Sequence, residues 1–325
     1  MMFIFLNQCL NIKPNNFEKS SQTVYFYRQK MHRLLVLFLS CLSANIILAQ
    51  VPKKMRLPDN LVEVSGLYYA GADSLWWHND SGDKPRLVLT DDQGRLRQEI
   101  LLPVRNRDWE DITADAVGNI YIGDFGNNRN ARRDLCIYIY QPKSGAIDSI
   151  VFTYPDQTAF PPPPAEANFD MEGFFWRADS LHLFSKNRLI AGNYFTKHYI
   201  LPARAGAYVA ELRDSLYLPK RVVTAAALSP DGETVTLLSY YYRLLLGFIP
   251  KTRTTIWLLS DFEGSNFLRG KIHRQKVPKF LVPTQFESID FINGETVLVA
   301  SERTPLYKQQ AKRVRLKLQK PVVRP

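Results

Sequence analysis

Four glutamates stand at or near the head of apolar runs. Glu63 precedes Val64-Ser65-Gly66-Leu67; Glu110, Glu172 and Glu287 lie in Trp109-Glu110-Asp111-Ile112, Met171-Glu172-Gly173-Phe174 and Phe286-Glu287-Ser288-Ile289. A fifth copy, Val223-Thr224-Ala225-Ala226-Ala227, carries no acid. Carboxylates gathered near one point repel, so each must keep a proton, pair with a base or bind a cation. A set of oxygen donors (Glu63, Asp80, Glu110, Asp111, Asp124, Asn127, Asn187 and Glu287) suits a hard ion, Ca2+ ahead of Mg2+. Glu110 or Asp111 is also a candidate general base. His78, in Trp77-His78-Asn79-Asp80-Ser81-Gly82, is a third. The structural alternative pairs each glutamate with an arginine or lysine of a neighbouring repeat.

Arg129, Arg132, Lys186, Arg188 and Arg303, with Asn79 and Asp80, are the groups expected to hold an anionic or polyhydroxylated small ligand. Zinc is not expected: beyond residue 49 there is one cysteine, Cys136, and no His-x-x-x-His or Cys-x-x-Cys spacing. No phosphate-binding glycine loop implies a nucleotide cofactor, and no Gly-x-Ser-x-Gly elbow implies a serine nucleophile.

These residues must be positioned by strands. Short alternating runs rich in Val, Ile, Tyr, Phe and Trp are bounded by Gly, Asp, Asn and Pro, with no sustained helical period, so the chain reads as all-β. Each acidic phrase opens a group of runs, and a strand-only unit recurring roughly every fifty residues is the signature of a β-propeller. Four groups hold four runs; in the third, the last run is placed at Tyr208–Leu218. The fifth supplies only Glu287–Ile292, Thr296–Ser301 and Arg313–Leu318. Lys53–Pro58 is expected to complete it and close the ring, removing an exposed sheet edge. Five blades follow, or six if the long third repeat hides one. The innermost strands and the loops between second and third strands should then share one mouth. Leu244–Pro250 is read as a lid or contact surface on that ring.

Residues 1–30 read as an upstream extension and residues 31–49 as a signal peptide: His32-Arg33, an apolar core, and Ala49 before Gln50. Cys41 raises lipidation as an alternative. The expected destination is the periplasm, cell surface or extracellular space, with residues 50–325 as the propeller and no transmembrane span in it. Removing residues 1–49 takes five Lys/Arg and one acid from the whole-chain charge of +11, leaving +7. That surplus gathers mainly at Lys308–Lys320, which reads as a solvated basic edge and not a nucleic-acid surface.

The ordered set Trp77-His78-Asn79-Asp80-Ser81-Gly82, Asp108-Trp109-Glu110-Asp111-Ile112, Tyr121-Ile122-Gly123-Asp124-Phe125-Gly126-Asn127-Asn128 and Phe184-Ser185-Lys186-Asn187-Arg188 resembles a family of secreted β-propellers of Gram-negative envelopes. More remotely, the chain is similar to propellers with esterase-like activity of phytase and to gluconolactonase-type propellers. The latter resemblance implies a divalent cation at the mouth held by Glu63, Asn127 and Asn187, while Thr224–Ala227 stands where a fourth-blade acid is expected. The reading is of a ligand-binding propeller, with cation-assisted ester, lactone or phosphoester hydrolysis as its sharper form. The alternative is a non-catalytic binding or assembly module of the cell envelope.

Overall fold

The computed structural model describes residues 53–71, 73–186, 193–245, 249–277, 285–305 and 307–318. The expected extension, signal peptide and Cys41 therefore lie outside the described residues, as do Asn187 and Arg188. Strand β1 (Lys54–Arg56) comes first, then five groups in chain order. Blade 1 holds β2 (Val64–Tyr69), β3 (Leu75–Asn79), β4 (Arg86–Thr90) and β5 (Leu96–Leu101). Blade 2 holds β6 (Trp109–Ala114), β7 (Ile120–Asp124), β8 (Leu135–Tyr140) and β9 (Ile147–Thr153). Blade 3 has β10 (Asp170–Arg177), β11 (Ser180–Lys186), β12 (Phe195–Pro202) and, after β13 (Gly206–Val209), β14 (Glu211–Tyr217). Blade 4 has β15 (Val222–Leu228), β16 (Val235–Leu245), β17 (Ile249–Ser260) and β18 (Lys271–Lys276). Blade 5 has β19 (Phe286–Asn293), β20 (Thr296–Ser301) and β21 (Gln310–Arg315).

The expected closure is present: β1 pairs antiparallel with β21, Met55 opposite Ala311. The protein is a five-bladed β-propeller. Its innermost strands touch in ring order, β2 to β6, β10, β15, β19 and back to β2. Each junction between blades is filled by its own apolar cluster. Phe125, Phe152, Phe174 and Tyr199 fill the junction of blades 2 and 3, and Trp77, Leu61, Leu298 and Ala300 the closing seam. Burying one such large side chain stabilises by roughly 1.5–3 kcal/mol, so the ring is held by five comparable cores and needs no disulfide.

Two expectations shift. The run placed at Tyr208–Leu218 divides in two: β13 crosses over to pair in parallel with β9 of blade 2, and only β14 stays in blade 3. Positive φ at Gly206 (151°) starts the departing strand, a conformation open to glycine because it lacks a Cβ. The last strand also lies three residues earlier than Arg313–Leu318. Around the apolar segment 244–250, β16 and β17 continue as one long hairpin that brings Leu245 opposite Ile249; its tip lies outside the described residues. Among the described residues no helix is long and apolar enough to cross a membrane.

One irregularity repeats in every blade and positions the site. The innermost strand slips register against its neighbour between Val64 and Gly66, Trp109 and Asp111, Met171 and Gly173, Val223 and Ala225, and Phe286 and Ser288. A bulge leaves the extra residue unpaired and re-aims its side chain. The bulged residues are Ser65, Glu110, Glu172, Thr224 and Glu287.

Candidate functional site: a carboxylate-rich mouth

The five bulges form one ring of side chains at the mouth, and the residues two places earlier form a second: Glu63, Asp108, Asp170, Val222 and Gln285. Glu63 therefore belongs to the outer ring. It lies exposed in the turn before β2, and the inner-ring place in blade 1 is held by Ser65. The hydroxyls of the inner ring link blades: Ser65 Oγ donates to Glu110 O at 2.5 Å, and Thr224 Oγ1 to Phe286 O at 3.0 Å.

Acids from both rings converge. One oxygen each from Glu110, Asp170 and Glu172 lie within 4.8 Å of one another, and so do oxygens from Asp80, Asp108 and Glu110. Glu110 belongs to both triads. It is held well above the usual carboxylate range, first by burial and then by the charges of Glu172 and Asp80. Burial likewise raises Glu172 against the pull of Lys186. Asp108 is pushed up to about 6 by burial and by Asp80. Across the mouth, burial and Glu287 push Glu302 up to about 10, and burial raises Tyr240 to about 12.

Among the described residues one ammonium enters this cluster. Lys186 Nζ reaches Glu172 Oε1 at 2.7 Å and is itself held well above its ordinary value by Glu172, Asp170, Glu287 and Glu110, despite burial. Glycine is required where Gly126 backs the triads, because a Cβ there would collide with Glu110 Oε1 and the Asp108 carboxyl.

The predicted site residues divide sharply. Asp80, Glu110, Lys186 and Glu287 are brought to the mouth; Glu287 accepts from Gln285 Nε2 at 3.3 Å. Several others hold loops instead. Asp124 Oδ1 accepts Asp108 N at 3.1 Å and Arg132 Nη2 at 2.9 Å, and Arg132 Nη1 donates to Gly126 O at 2.8 Å. Asn127 Oδ1 accepts the N–H groups of Ala131 and Arg132 at 2.9 and 3.0 Å, while its Nδ2 donates to Phe169 O at 3.1 Å. Both oxygen donors read as metal ligands are thus filled by protein donors, because the Gly-Asp-Phe-Gly-Asn-Asn loop must satisfy its own buried backbone. Asn79 is buried in the same role, accepting Glu63 N at 3.2 Å and donating to Asn60 O at 2.8 Å.

Asp111 points away from the mouth cluster. Its Oδ2 accepts Phe174 N of the next blade at 3.0 Å. His78 is enclosed against Gly66 and the edge of Trp109, 5.5 Å between ring centroids, and burial lowers its pKa. Neither is placed for general-base work in the mouth. Arg129 and Arg303 are exposed.

Glu172, expected among the four glutamates, is in the cluster, while Asp108, Asp170 and Glu302 complete it without having been assigned to it from sequence. A signal for Asp108 and Asp170 exists: Asp108-Trp109-Glu110 and Asp170-Met171-Glu172 share one spacing, and Gln285-Phe286-Glu287 nearly repeats it. Alternate strand residues normally share a face; the bulge keeps both acids of each pair at the mouth.

No family model matches the sequence, and no curated protein matches it. Solved propellers are similar in fold. A gluconolactonase of Xanthomonas campestris is 11% identical with a TM-score of 0.44, over 82% of this chain and 92% of that one. An alpha-L-arabinofuranosidase of Fusarium graminearum is 9% identical with a TM-score of 0.47, over 82% and 98%. Against hydrazine synthase of Kuenenia stuttgartiensis (11% identity, TM-score 0.38) the match covers 77% of this chain but 59% of that one. At these identities the likeness concerns the fold.

Proposed function

We propose that the mouth is a divalent-cation site, calcium before magnesium, in an exported propeller that binds a polyhydroxylated or ester-bearing small ligand there. The observation that carries this is the convergence of Glu110, Asp170 and Glu172, all buried, with oxygens within 4.8 Å of one another. An all-oxygen donor set of this charge fits a hard cation and gives no preference to zinc or copper. Glu110 and Glu172 would hold the ion with Asp170, and Asp80 and Asp108 would flank its open side. When bound, the cation supplies a Lewis acid that polarises a carbonyl or phosphoryl oxygen.

The chain's own groups then have separable tasks. Lys186 offsets part of the carboxylate charge and orients Glu172. Asp108, flanking the ion, would be the carboxylate placed to take a proton from an attacking water; its rise to about 6 belongs to the ion-free mouth, and a bound cation would lower it. With Arg132 committed to Asp124, a free anion meets acids first, so a negative ligand group depends on the cation. The finer reading is hydrolysis of an ester, lactone or phosphoester bond.

Calcium titration of the full chain by calorimetry, followed by a panel of chromogenic esters, lactones and phosphoesters with calcium or EDTA, tests both levels. Calcium binding that Glu172→Gln weakens at least tenfold supports the site. Calcium-dependent turnover that Asp108→Asn removes supports the hydrolase, and calcium binding without turnover leaves a non-catalytic binding module. Absence of calcium and magnesium binding contradicts the proposal.

A further inference from the structure

Outside the mouth, a cavity of about 520 Å3 lies on the flank of blade 3. Strands β12 and β14 form one wall. Phe195 pairs with Tyr217 and Lys197 with Ser215, so these four side chains share one face of the sheet. Phe195 and Tyr217 are 45% and 52% exposed, with ring centroids 5.2 Å apart, and Tyr194 stands 6.0 Å from Tyr217. Phe195 and Tyr217 form a cross-strand aromatic pair that still leaves about half of each side chain to solvent, with Tyr194 beside them. Aromatic rings combine a large apolar face with low conformational cost, which makes them effective contact surfaces.

Two of the charged groups beside this platform, Lys197 and Asp156, neutralise each other. Lys197 Nζ meets Asp156 Oδ2 at 2.6 Å and lies 4.1 Å from the centre of the Phe169 ring. Tyr199 OH donates to the same Asp156 at 2.9 Å. Ser215 and Glu166 are exposed at the cavity wall, and the Asn193 amide completes a polar edge. Among the described residues lining the cavity, an anion finds no free cation. Apolar faces flanked by hydroxyl, amide and carboxylate groups match the two sides of a neutral sugar ring: C–H bonds on the rings, hydroxyls on the polar edge.

The cavity is continuous in sequence with the mouth. Phe169, in its lining, precedes Asp170 of the acid cluster. Asn168 Oδ1 accepts Ser185 Oγ at 2.6 Å, and Ser185 precedes Lys186. The geometry points to a second subsite: a neutral, polyhydroxylated oligomer, a short glycan, lies with one end unit at the mouth and a later unit on the Phe195–Tyr217 platform, two to three strands outward from β10. This deepens the mouth reading and rests on it for the first unit alone.

The test is calorimetric binding of maltotriose, cellotriose, xylotriose and arabinotriose, each against its monosaccharide, with calcium and with EDTA. The proteins are wild type, Glu110→Gln and the doubly substituted Phe195→Ala/Tyr217→Ala; both platform residues are exposed, so unfolding is not expected. At least one trisaccharide should bind about tenfold tighter than its monosaccharide, and the double variant should lose that gain. Loss of the gain with no effect of calcium or of Glu110→Gln keeps the platform and overturns the mouth reading. Calcium-dependent binding that the double variant retains overturns the platform and keeps the mouth. No trisaccharide binding up to about 10 mM overturns the inference.

Discussion

Glu110 and Asp111 are adjacent, and both are buried, at 3% and 1% exposure, yet they live in opposite electrostatic settings. Asp111 accepts backbone N–H groups from Phe174 at 3.0 Å and from its own neighbour Ile112 at 2.8 Å. Asp290 repeats the arrangement at the closing seam, accepting Tyr69 N at 2.7 Å and Phe291 N at 2.8 Å. These acids clasp one blade to the next. Glu110 instead faces Asp170, Glu172, Asp80 and Asp108, with the Ser65 hydroxyl 3.5 Å away. Burial alone therefore does not define a role. Where the ring offers N–H donors, an acid is structural; where it offers other acids, repulsion remains that a proton or a cation must relieve.

The largest effect should come from removing the one ammonium that the described residues bring to the mouth. Lys186→Met leaves Glu172 buried without its partner and should cost about 3 kcal/mol in urea unfolding at neutral pH. Acidification or calcium should recover much of it. If neither does, the repulsion assigned to the mouth is wrong. Asp111→Ala should cost about 2 kcal/mol by orphaning the Phe174 N–H, and calcium should not restore it. A calcium-sensitive loss there would erase the distinction between the two sets of acids.

A smaller effect concerns pH. Burial, opposed by the two N–H donors, pushes Asp290 up to about 7 from 3.8, so the folded protein holds a proton that the unfolded chain releases. That stabilisation is complete below about 3.8 and is lost as pH rises through about 7. Asp290→Asn should flatten this slope. The buried His182 works in the other direction: lowered by burial and by His198 to about 3 from 6.5, it costs stability as pH falls from 6.5 towards 3. Chemical unfolding across that range resolves the two limbs, and an unchanged slope in Asp290→Asn would contradict the assignment.

Blade number and ring closure were legible because they follow from strand periodicity and from a missing partner. The run near Lys53–Pro58 had to find an edge, and β21 was the edge left open. The departure of β13 was not legible, since Gly206–Val209 reads locally like the start of the following strand. The mouth was half legible. Aligning Glu63 with Glu110 mixed an outer-ring residue with an inner-ring one, because a bulge leaves no composition of its own. The repeated Asp-x-Glu spacing in blades 2 and 3 marked the correct register. Asp124, Asn127 and Arg132 looked like ligand-binding groups because loop-locking residues and ligand-binding residues are the same types; only their partners distinguish them.

The central claim is that the inner-ring acids are arranged for a cation. Thermal unfolding of wild type and Glu110→Gln at one pH near neutral, each with calcium and with EDTA, tests it most directly. Wild type should gain stability with calcium and lose it with EDTA, while Glu110→Gln, which can no longer offer a carboxylate to the ion, should unfold at the same temperature in both. A wild-type transition that ignores calcium and EDTA, or a Glu110→Gln protein that keeps the full calcium shift, would contradict the account.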